Sequence, residues 1–92
     1  MATIRVGVPW LSEQDWSTWA EIDPSILPYD VWRVKADDAI SELKNRHIVP
    51  VTIVVGPRAF ADWCRIEGKP PDRHSRCEYA AVRLSGEDGV SS

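Results

Sequence analysis

The run Ile48 to Pro57, Ile-Val-Pro-Val-Thr-Ile-Val-Val-Gly-Pro, restricts the fold more than any other stretch. It is the one long apolar run, it is rich in β-branched side chains and it closes on Gly-Pro, the pattern of a strand buried on both faces. Such a strand needs cover, and the remaining chain has to supply it. With 92 residues there is room for one domain, and a chain of that size withdraws only about 60–68% of its unfolded surface from water. A second subunit would add what a small core lacks.

The flanking sequence supplies a second strand and four helices. Thr3 to Val8 alternates, with Ile4, Val6 and Val8 on one side, as a half-covered strand does. Ser12, followed by Glu13 and Asp15, resembles a capping box and opens a first helix from Glu13 to Ile22, with Trp16, Trp19 and Ala20 inward. Asp23-Pro24 stops it, and an ordered loop follows to Tyr29. Asp30 can cap the longest helix, Val31 to Arg46, whose inner face carries Trp32, Ala36, Ala39, Ile40 and Leu43. Asn45 or His47 takes its C-terminal turn. After the apolar strand, Pro57 starts a third helix with Ala59, Phe60, Trp63 and Cys64 inward, ended by Gly68. Asp72 caps a fourth helix to Leu84, with Cys77, Ala80, Ala81 and Leu84 as its packing stripe. A strand through Tyr79 to Leu84 is the alternative, disfavoured by the two alanines.

The expected fold is therefore α/β, a small sheet in the order strand-helix-helix-strand-helix-helix, with parallel strands and helices covering the sheet. Residues 1–84 form a single globular domain, and 85–92, rich in Gly, Ser and acids, form a flexible tail. Two strands leave two unpaired edges, and Pro50 blunts only one end of the apolar strand, so a homodimer whose second subunit continues the sheet or packs helices against it is expected.

Charge and composition narrow the partners. Fourteen acidic against eleven basic residues give a net charge of -3, which speaks against nucleic acid as a partner. No stretch approaches the roughly 20 apolar residues of a membrane span, and no signal-like segment opens the chain, so a cytoplasmic protein is expected. Cys64 and Cys77, the two cysteines, should be free thiols there. Five tryptophans, Trp10, Trp16, Trp19, Trp32 and Trp63, serve either as bulky core residues or as an aromatic contact surface.

Chemistry-bearing residues are few. Parallel strands would bring Trp10 and Ser12 to the same sheet end as Gly56 and Arg58, where a small anionic ligand could meet the start of the third helix. Gly56 lacks the further glycines of a phosphate-binding loop, and an ordinary strand-to-helix turn accounts for it. His74 and Cys77, with Cys64 and His47, are the conceivable metal ligands, yet no paired ligand spacing links them, and no metal or other cofactor is expected. His74 beside Cys77 could also be read as a base and nucleophile, but Cys77 belongs to the packing stripe and no orienting acid is evident beyond Glu78. Arg65, Lys69, Arg73 and Arg76 form the one basic cluster, at a turn.

The segment Pro57-x-x-Phe60-x-x-Trp63-Cys64, with Gly68, Pro71-Asp72, Arg76 and Tyr79-Ala80, resembles a set of small bacterial proteins without an assigned activity, as do Gly7 to Trp10 and Tyr29 to Trp32. The shared residues are packing residues, so the resemblance implies no activity and no site. The sequence points to a small accessory protein, not an enzyme, that works by self-association and by binding a partner protein. The alternative is a small-ligand protein or small enzyme with its site at Trp10, Ser12, Gly56 and Arg58.

Overall fold

A computed structural model describes residues 3–90, with side chains through residue 86. The chain runs β1 (Arg5–Trp10), a 3-10 turn (Glu13–Asp15), α1 (Trp16–Ile22), α2 (Tyr29–Asn45), β2 (Val49–Val54), α3 (Pro57–Glu67) and α4 (Arg73–Val90). The two strands pair in parallel, Arg5 beside Val49 through to Trp10 beside Val54, so this is a mixed α/β fold with four helices and a two-stranded sheet.

Alternation along β1 fixes what each face meets. A Cβ on Gly7 would fall 2.8 Å from the Ala80 carbonyl oxygen, so the face carrying Gly7, Val51 and Ile53 is the one α4 lies on. Ile53, Ala80 and Leu84 are buried together there. Trp10 points to the other face, where its ring meets Trp32 of α2 at 5.4 Å between centroids. The main core gathers Leu11, Trp19, Val55, Phe60, Cys64 and Tyr79 at the sheet end where both strands exit.

Several expectations change. The Ile48 to Pro57 strand is not buried on both faces: Ile53 and Val55 are buried while Thr52 and Val54 on the opposite face are exposed, Val54 by 67%, because the helices lie over it on one side more than the other; Val49, at the start of the covered face, is 43% exposed. Ser12 makes no side-chain cap, and the first turn is 3-10 before α1 begins. Ala20 is exposed, whereas Trp19 is wholly buried. α2 begins two residues earlier than expected, after Pro28, which leaves Asp30 within the first turn and not at the cap. Its inner stripe is only half-buried and Ala39 is exposed, so α2 has no buried residue. Ala59 is exposed on α3. On α4 the stripe is rotated: Cys77 and Ala81 are exposed, and Ser75, Arg76, Tyr79, Ala80 and Leu84 face inward.

Other expectations hold. Pro57 stands in the first turn of α3, and Gly68 closes that helix at φ 67°, a left-handed conformation that glycine adopts without strain. His47 takes the left-handed turn after α2, at φ 61°. Asp72 caps α4, its carboxylate accepting from the Ser75 N–H at 3.0 Å. Tyr79 to Leu84 is helical. The tail expected over 85–92 lies partly outside the described residues; the backbone is helical through Val90. Among the described residues, no helix is long and apolar enough to cross a membrane.

Candidate functional site: a groove along the edge of the first strand

The edges of the sheet follow from its hydrogen bonds. Val49 N–H donates to the Ile4 carbonyl at 2.9 Å and Val55 N–H to that of Trp10 at 3.0 Å. In a parallel pair this phase turns the backbone groups of Val6, Val8 and Trp10 toward β2, and those of Gly7 and Pro9 away from it. On β2 the outward residues are Pro50, Thr52 and Val54 by the same alternation. Among the described residues, no further strand lies beyond either edge. A proline stands at one outward position on each, Pro9 and Pro50, removing one donor from each row.

The outer edge of β1 is the floor of a groove of about 630 Å³. Val6 to Pro9 form that floor. One wall is α2, with apolar Trp32, Ala36, Ala39 and Leu43 and, among them, charged Lys35 and Glu42. The other is α4, through Arg73, His74, Arg76 and Cys77, and is mainly polar and cationic. Ile26 and Leu27, in the loop before α2, line the groove as well. The small side chains of Ala36 and Ala39 line this space, so the strand edge is not filled in by α2.

A buried ion pair anchors the α4 wall. Arg76 Nη1 lies 2.8 Å from Asp23 Oδ2, with the two residues 5% and 6% exposed. Burial alone would push the Asp23 carboxyl up. Hydrogen bonds from the Ser25 hydroxyl at 2.6 Å, from Arg76 and from the Ser25 N–H at 3.1 Å outweigh it and hold that group below the usual carboxylate range. Asp72 is also held low, chiefly by the Ser75 N–H. Near one end of the groove Arg46 bonds Glu42 at 3.0 Å. That leaves Lys35 on the α2 side and Arg73 on the α4 side as groove cations with no ion-pair partner among the described residues.

The four residues expected to form a site are not gathered into this groove. Trp10 is half-buried between Trp32 and Arg33, whose guanidinium carbon stands 4.8 Å from the Trp10 ring centroid. Ser12 is half-buried before the 3-10 turn, and exposed Gly56 precedes α3. Arg58 lines a separate, shallower depression with Thr18, Glu21 and Asp62. Two acidic side chains there oppose an anion.

Of the cysteine and histidine candidates, His74 and Cys77 share the α4 wall of the groove. Cys64 is a buried free thiol, pushed up in pKa mainly by its burial. Cys77 is free and exposed on the groove wall, while the His74 ring meets Glu78 Oε1 at 2.8 Å. Glu78 also binds Lys69 at 2.7 Å, which holds its carboxyl low. No group of three or more metal-ligating side chains converges among the described residues. The tryptophans differ in burial: Trp19 is core, with its indole N–H unpartnered, and Trp16, Trp32 and Trp63 pack partly buried against that core. Trp10, Trp16 and Trp32 form a half-exposed aromatic cluster with Tyr29.

Sequence reading missed the Asp23–Arg76 pair and the groove. A usable signal for the first was the spacing of Arg76, Ala80 and Leu84 at four-residue steps, which puts Arg76 on the inner stripe. Comparison of the chain with family models, curated proteins and solved structures returns no match.

Proposed function

We propose that this is a small cytoplasmic interaction protein that acts by binding: it self-associates and holds a partner protein. The observation that carries the reading is the open outer edge of β2. Thr52 is exposed, Val54 is 67% exposed, and their backbone groups face outward with no strand to meet them among the described residues. Exposed apolar edges of this kind pair with another chain unless something blunts them, and Pro50 removes only one donor. A second copy pairing there would extend the sheet and supply the cover the helices leave incomplete. The groove on the opposite edge would remain free for a partner.

A small anionic ligand at Trp10, Ser12, Gly56 and Arg58 has less behind it, given Glu21 and Asp62 beside Arg58 and the engagement of Trp10 with Arg33. Sedimentation equilibrium of the full chain at micromolar concentration should give twice the monomer mass. A monomer throughout that range overturns self-association.

A further inference from the structure

We propose that the groove beside β1 binds an extended segment of a partner protein in which apolar and acidic residues alternate, added to the sheet as a third strand. The inference rests on the reading of the protein as a partner-binding module and names the chemistry of that partner. Three features point to it together. Gly7 and Pro9 turn their backbone groups into the groove, so the floor is a strand edge rather than a surface of side chains. A strand laid along such an edge gains main-chain hydrogen bonds and places alternate side chains on opposite walls.

The walls differ in a way that reads a period of two. Side chains turned to α2 would meet Trp32, Ala36, Ala39 and Leu43, a surface suited to Val, Leu or Ile. Side chains turned to α4 would meet Arg73, with Arg76 already committed to Asp23 and His74 to Glu78. Lys35 on the other lip adds a second cation without an ion-pair partner among the described residues; Glu42 is neutralised by Arg46, while Asp72, bonded as the α4 cap, keeps one negative charge against these two. The charge left over is positive, opposite to the net charge of the whole chain, so a carboxylate-bearing segment is selected over a basic one. Pro9 withholds one donor, which confines pairing to the short stretch around Gly7 and suits a peptide segment more than a full second sheet.

The test uses the full-length protein and a labelled, acetylated octapeptide of alternating valine and glutamate, followed by fluorescence anisotropy. It should bind at least about tenfold tighter than the valine–lysine counterpart at low salt, and this preference should shrink as salt screens the lips. Exchanging Lys35→Glu and Arg73→Glu together, both exposed positions, should reverse the preference. The Gly7 amide should gain protection from hydrogen exchange on binding.

Strand addition also makes a stereochemical demand. All valine N–H groups point to one edge of the peptide and all glutamate N–H groups to the other. N-methylation of one set should abolish binding while N-methylation of the other spares it, and which set matters reveals whether the added strand is antiparallel or parallel. Equal affinity for the acidic and basic peptides, no binding at millimolar peptide, equal effects of the two methylations, or a peptide that only dissociates the dimer would each overturn the proposal. All of these leave the sedimentation result standing, so failure of the groove is distinguishable from failure of self-association.

Discussion

Asp23 and Arg76 carry the largest single-residue stake in the fold. They lie 53 positions apart; the four-residue steps of Arg76, Ala80 and Leu84 place Arg76 on the inner stripe, but no local pattern names Asp23 as its partner. Truncating one partner leaves the other charge buried and uncompensated, a loss of about 3–5 kcal/mol. Arg76→Ala should therefore lower the urea midpoint sharply, whereas Arg73→Ala, three residues away and exposed, should leave it nearly unchanged. The pair also sets a pH dependence. The Asp23 carboxyl is held lower in the folded chain than its unfolded value of about 3.9, so its stabilisation is complete above that value and is lost as pH falls through the folded one. Asp72 and Glu78 are shifted in the same direction. Urea titrations between pH 6 and about pH 2 should show wild-type stability falling at the acid end, with a shallower fall in Asp23→Asn.

At the level of elements, most boundaries were legible because their causes are local. Pro57 and Gly68 bracket α3, His47 turns α2 into β2, and Asp72 caps α4 through a bond to a residue three positions on. Burial was less legible. β2 reads as apolar throughout, yet only one of its faces is well covered, since coverage depends on where helices distant in sequence come to lie. α2 shows the same limit: its periodicity is that of an inner face, but Trp32, Ala36, Ile40 and Leu43 are only half-buried. Low burial lowers the free energy of local opening. Amides of α2 should exchange with deuterium before those of α3 and of α4 up to Leu84. The close approach of α4 to β1 has the opposite character. An added methyl at Gly7 meets the Ala80 backbone carbonyl, which cannot rotate aside as a side chain would. Gly7→Ala should cost about 1–3 kcal/mol in thermal or urea unfolding. Gly56→Ala is the control, with open space around the position and an ordinary φ of -80°, and should cost less, about 0.5–1 kcal/mol, because alanine is a poorer residue than glycine at the start of α3.

For the whole molecule, the order of elements and the parallel pairing could be read from the chain, and the long crossover between the strands was the reason. The groove could not. It exists because α2 and α4 lie on opposite faces of β1 and leave the strand edge between them, a relation among three elements that no local pattern encodes. The same two-stranded sheet decides whether the protein stands alone. Its second edge, at Thr52 and Val54, is not flanked by the groove and presents apolar surface directly to water. Val54→Lys offers a clean test, because the side chain is already 67% exposed and a lysine on an edge strand discourages pairing without disturbing the core. In sedimentation the variant should be monomeric at concentrations where the wild type is dimeric. Its thermal midpoint should no longer rise with protein concentration, as that of a folded-state dimer must by mass action. A Val54→Lys protein that stays dimeric would move the self-association surface away from β2.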